Sequence, residues 1–120
     1  MRWEVEFHKD FDPEFGELPD GVQDQLLAHA RLLERFGPQL GRPRVDTLKG
    51  SRHANMKELH FDAADGVWRV AFAFDPKRKA VLLIVGVKSG GGEKRFYRQL
   101  IAKAGERFDE HLSRMKKKGI

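Results

Sequence analysis

The chain has no cysteine, so neither a disulfide framework nor thiolate metal or redox chemistry is open to it. No apolar run approaches the roughly 18 residues that a membrane-spanning helix needs. The N-terminus carries no charged-then-apolar leader, and the expectation is a cytoplasmic protein with no membrane partner. Internal repeats and low-complexity segments are missing too, and tyrosine occurs once, at Tyr97. A Walker phosphate loop and a G-x-S-x-G nucleophile turn are both absent. The five histidines (His8, His29, His53, His60, His111) are scattered, without the spacing of a metal motif. No metal and no cofactor is therefore expected.

What is present suits one compact unit. A length of 120 residues at 40% hydrophobic content supports a single domain over 1–120 with one core. The net charge of +5 is unevenly spread: residues 1–48 hold six Lys/Arg against ten Asp/Glu, and residues 49–120 hold seventeen against eight. A basic half on an acidic base points to a polyanion partner, because clustered Lys/Arg beside phosphate releases counterions.

Residues 2–8 alternate Trp3, Val5 and Phe7 against Arg2, Glu4 and Glu6, which predicts a half-buried strand. Asp12-Pro13 predicts a short helical turn through Glu17, with Asp as N-cap and Pro at the first helical position. Asp20 and Gln23 have capping-box spacing, and Val22, Leu26, Ala30 and Leu33 recur at helical spacing. A second helix is thus expected over 21–36, stopped by Gly37-Pro38. Strands are predicted at 56–61, 67–74 and 80–87, parted by Asp65-Gly66 and by the turn from Asp75 to Arg78. Ser89 to Gly92 breaks the sheet, and a long helix extends from about 93 to 116. Its apolar stripe is Phe96, Leu100, Ile101, Ala104, Phe108, Leu112 and Met115.

The fold class read from this order, β-α-α-β-β-β-α, is α+β, with an antiparallel sheet and helices packed on one face. Trp68, Val70, Phe72 and Phe74 supply that packed face. The opposite face is expected to lie open and to carry Glu58, His60 and Arg69 together. Lys88, on a row with Leu82, Ile84 and Gly86, is expected beside them.

Metal-free RNA cleavage needs a proton acceptor for the 2′-OH, cations for the phosphorane and a donor for the leaving oxygen. Glu58, His60, Arg69 and Lys88 offer these chemistries, while a plain cross-strand Glu58–Arg69 pair is the alternative. The segment from Lys88 to Gly92 reads as a connector that could also offer backbone N–H groups to an anion. Lys94, Arg95 and Arg98 come next, and Tyr97 could stack on a base, bond a phosphate or pack the helix on the sheet. Lys57 and His53 complete the set of candidate RNA contacts.

Leu48-Lys49-Gly50, Met56-Lys57-Glu58-Leu59-His60, Trp68 to Phe72, Val87-Lys88 and the amphipathic C-terminal helix together resemble the RelE/ParE superfamily of toxins. The resemblance is strongest to its HigB-like, phage-related branch and covers nearly the whole chain. It implies a small ribonuclease-like mRNA endonuclease, acting with the ribosome and neutralised by a cognate antitoxin of helix-turn-helix type. The family's strand motif maps onto residues 56–60, and its later basic positions onto Arg69 and Lys88. The tyrosine near the C-terminal helix maps onto Tyr97. His60 stands where the family commonly has Arg, and Val87 where related chains carry a polar residue. On this resemblance Arg69 and Lys88 are expected to clamp the phosphate. Glu58 or His60 would accept the proton, and His60 or Tyr97 would donate one. A ParE-like gyrase inhibitor and a non-catalytic RNA- or protein-binding module are the competing readings.

Overall fold

A computed structural model describes residues 2–64, 66–87 and 92–117. Its elements are β1 (Glu4–Phe7), α1 (Phe11–Gly16), α2 (Asp20–Phe36), a 3-10 turn (Gly37–Gln39), β2 (Val45–Thr47), β3 (Met56–Ala63), β4 (Gly66–Phe74), β5 (Lys79–Val87) and α3 (Glu93–Lys117). The sheet has five strands in the order β1-β5-β4-β3-β2. β1 runs parallel to β5, and the remaining pairs are antiparallel. The α+β class therefore stands, with one strand more than the pattern predicted. At three residues β2 is too short to show any alternation.

α1 starts at Phe11 rather than after Asp12, because the His8 carbonyl accepts the N–H groups of Phe11 and Asp12 at 2.9 and 3.0 Å. The capping box at Asp20 does not form. Pro19 takes the N-cap position without a side-chain bond, and Gln23 instead donates to the Leu18 carbonyl at 2.9 Å. Gly37 ends α2 at φ +55°, and a Cβ there would stand 2.3 Å from the Trp3 ring. Only glycine fits both the left-handed backbone and that contact.

The sheet separates two apolar clusters. One joins Phe11, Val22, Leu26 and Leu33 of the early helices to Leu59, Phe61, Val70, Phe72, Ala80 and Leu82. The other joins Leu100, Ala104 and Phe108 of α3 to Met56, Ala71, Ala73, Val81 and Leu83. The expectation of helices on one face and bare sheet on the other is thus corrected. α3 needs cover for its stripe, and the small side chains Ala71 and Ala73 let it approach closely.

A bulge interrupts β5. Ala71 faces Ile84 but Phe72 faces Leu82, so Leu83 is an extra residue on that strand. The expected row of Leu82, Ile84 and Gly86 is broken as a result. Leu82 packs with the early helices, while Ile84 and Gly86 turn toward α3.

Candidate functional site

Glu58 and His60 share one side of β3 because they are two residues apart. β4 pairs in a register that sets His60 opposite Arg69 and Glu58 opposite Ala71. The Glu58–Arg69 relation is therefore diagonal, with Nε 3.7 Å from Oε1. α3 delivers the fourth group from above. The Tyr97 hydroxyl donates to Glu58 Oε1 at 2.9 Å and accepts from Arg69 Nε at 2.6 Å. Four of the five expected catalytic residues thus meet in one cluster. The fifth, Lys88, lies outside the described residues, as do Ser89, Gly90 and Gly91 of the expected anion loop.

The cluster is sheltered. Glu58 is only 7% exposed at its side chain, Arg69 16% and His60 29%. His60 Nε2 sits 3.0 Å from Glu58 Oε1 but off the hydrogen-bonding direction, so it is buried with no directed partner among the described residues. Arg69 Nη1 is buried and unpartnered in the same sense. Such groups are costly unless something else fills their bonding capacity. Burial raises the Tyr97 pKa above its ordinary value, and the neighbouring Glu58 raises it further, against a smaller opposing pull from Arg69. At neutral pH the phenol keeps its proton and acts as a donor.

Beside the cluster opens a cleft of about 400 Å³ lined by residues including Arg42, Asp46, Lys49, Glu58, Lys94 and Tyr97. Asp46 accepts the Thr47 N–H at 2.8 Å, and this bond holds its carboxyl below the ordinary range, helped by Arg42 at 3.2 Å. Lys94 is exposed on the cleft. Arg95 and Arg98 are exposed on the same turns, but they do not line it.

Two expected RNA contacts fall elsewhere. Lys57 alternates with Glu58 and so projects to the opposite side of β3, the side of Leu59 and Phe61. His53 Nε2 lies 2.8 Å from Asp109 Oδ1, and its ring meets Phe108 edge-on, so it ties the 51–55 loop to α3. Asp109 is roughly 18 Å along the helix from Tyr97, at 1.5 Å per residue. Arg42 and Asp46 join the cleft without any sign of it in the sequence, and Lys49 is marked only as part of the Leu48-Lys49-Gly50 resemblance. Their loop and short strand carry no periodicity that could have placed them.

One group of potential metal ligands exists among the described residues, namely His8, Asp10 and Glu110, whose ligand atoms lie within 4.8 Å of one another. The His8 Nδ1 accepts the Asp10 N–H at 3.0 Å, which leaves the proton of the neutral ring on Nε2. Lys9 Nζ sits 3.2 Å from both Asp10 and Glu110. The positive charge this group gathers here is the Lys9 ammonium. No helix among the described residues is long and apolar enough to cross a membrane.

A helix-flanked five-stranded sheet of this kind is similar to the fold of a solved bacterial toxin. An arginine-to-alanine double mutant of E. coli toxin RelE in the free state superposes with a TM-score of 0.60 at 14% identity, covering 86% of this chain and 97% of that one. The chain belongs to the family described as Phage derived protein Gp49-like (DUF891), which matches residues 13–109. "Putative toxin HigB2" of Mycobacterium tuberculosis is 45% identical over 89 residues, or 73% of this chain. "Putative toxin HigB3" of the same organism is 46% identical over 82 residues, or 68% of this chain. The matched regions span 44% of the first relative's length and 69% of the second's.

Proposed function

We propose that the chain is the toxin of a toxin–antitoxin pair, an endoribonuclease that cuts mRNA in the cytoplasm at the Glu58–His60–Arg69–Tyr97 cluster. The observation that carries this reading is the Tyr97 hydroxyl, bonded at once to Glu58 and Arg69, which gathers groups from β3, β4 and α3 around one point. The names of its relatives support the toxin assignment.

In this mechanism the 2′-OH of one nucleotide attacks the adjacent phosphorus and passes its proton to Glu58. The bond from phosphorus to O5′ breaks, and O5′ takes a proton from His60. The products are a 2′,3′-cyclic phosphate and a 5′-OH. Arg69 stabilises the phosphorane through Nη1, a donor that has no hydrogen-bond partner among the described residues. Lys88 is the proposed second clamp. Lys94, Arg95 and Arg98 draw the RNA backbone to the first turns of α3, where mRNA is presented by the ribosome. A helix-turn-helix antitoxin from a neighbouring reading frame is the proposed inhibitor.

The test is incubation of the purified chain with a defined mRNA, with and without translating ribosomes, followed by primer extension and end-group analysis. Discrete cuts ending in cyclic phosphate and 5′-OH are expected with ribosomes, and Arg69→Ala is expected to reduce them at least about a hundredfold. In cells expressing the chain, growth arrest with an SOS response and intact transcripts would replace this reading with gyrase inhibition. Salt-sensitive RNA binding without cuts would leave only a binding module.

A further inference from the structure

A glycine inside a central strand packs nothing and weakens the strand, so Gly86 in β5, directly opposite Arg69, needs a reason. The space a Cβ would take there is already filled. It would stand 3.0 Å from Phe96 Cε1, 3.1 Å from Cζ and 3.5 Å from Leu100 Cδ1. The Phe96 ring therefore rests on the bare backbone of β5 at the point where α3 begins.

Phe96 and the next residue act on one guanidinium. The Arg69 Cζ lies 5.8 Å from the Phe96 centroid and 5.7 Å from the Tyr97 centroid. The two rings meet edge to face at 5.1 Å. Successive helical side chains diverge by about 100°. With Phe96 pressed onto Gly86, the helix sits low enough, and is turned correctly, for Tyr97 to reach Glu58. Raising or rotating the first turn would lengthen both Tyr97 bonds together.

We propose that Gly86 and Phe96 form a seat that positions the Tyr97 hydroxyl between Glu58 and Arg69, making both positioning residues of the site. The consequence for cleavage rests on the ribonuclease reading of the site, whereas the placement of Tyr97 does not. Beyond Leu100, which also borders Gly86, the rest of α3 is held by Ala104 and Phe108. A change at the seat therefore disturbs the first turn and leaves the body of the helix docked.

The single tyrosine makes the seat directly observable, because a 13Cζ label reports on Tyr97 alone. The label is titrated by NMR in the wild-type chain, in Gly86→Ala and in Phe96→Ala, over the range in which circular dichroism shows the fold intact. Both variants are expected to shift the tyrosine midpoint down toward the ordinary value of about 10, as Tyr97 leaves its sheltered place by Glu58. In the cleavage assay kcat falls about tenfold or more with little change in KM, the signature of misplaced groups. Combining Gly86→Ala with Phe96→Leu, which offsets the added methyl with a smaller side chain, moves the titration back toward wild type. Should Gly86→Ala not fold, Phe96→Ala carries the measurement. An unmoved midpoint in the folded variants overturns the seat, whatever happens to stability or cleavage. A wild-type chain that cuts nothing would sink the ribonuclease reading and leave the titration result standing.

Discussion

The Tyr97 hydroxyl reaches across from α3 to the Glu58 carboxylate in the middle of β3, 39 residues away in the chain, and bonds it at 2.9 Å. This contact closes the candidate site. β3 and β4 assemble three of its groups as a hairpin, but the fourth arrives only when the last helix docks.

Tyr97→Phe removes the hydroxyl from that junction and keeps the ring. The loss of two hydrogen bonds beside a buried carboxylate is expected to cost about 1–3 kcal/mol of stability. Cleavage should drop about a hundredfold if the phenol orients Glu58 and Arg69 for reaction. Urea denaturation and the cleavage assay measure the two effects separately. Full activity in this variant would remove Tyr97 from the proposed mechanism.

His8 predicts a pH dependence of stability. Burial holds its pKa below the ordinary 6.5, against smaller raising contributions from Glu110 and Asp10. As pH falls through about 6.5 the unfolded chain takes up a proton that the folded chain resists. This contribution is complete above the unfolded value, declines as pH falls toward the lowered folded value, and changes no further below it. Urea midpoints taken at about pH 7.5 and about pH 5 should fall on acidification, and less so in His8→Gln. Equal slopes in both proteins would assign the acid sensitivity to other groups.

Gly37→Ala tests the end of α2. The new methyl would meet the Trp3 ring at 2.3 Å while the backbone keeps φ at +55°. Trp3 packs edge-on against Phe74 and carries Arg78 over its ring at 4.3 Å, which restricts how far it can move aside. Destabilisation of about 3 kcal/mol or more is expected, read as a drop in melting temperature. A change within a few tenths would mean that the Trp3 side chain shifts freely.

Much of this architecture was legible because its residues repeat. Alternation located β3, β4 and β5 to within two residues at each end, and helical spacing located α2 and α3 to within one. The same periodicity put Glu58, His60 and Arg69 on one side of the sheet. It could not say what covers that side. Small side chains such as Ala71 and Ala73 suit a solvent-facing row and a closely packed helix equally. Lys57 has the charge of an RNA contact, although its own parity sends it to the other side. His53 carries no local mark of its partner, because Asp109 is 56 residues away. β2 and the cleft residues Arg42, Asp46 and Lys49 come from a stretch too short and irregular for any repeat to register.

The extra residue in β5 has a bearing on how closely related chains can vary. Counting by twos from Leu82 sends Gly86 toward α2, and only the step at Leu83 returns it to the side where Phe96 comes down. A chain one residue shorter at that step, paired in plain alternation, would keep every inward assignment. One shortened or lengthened between the step and Gly86 would offer the aromatic ring a side chain instead of an empty floor.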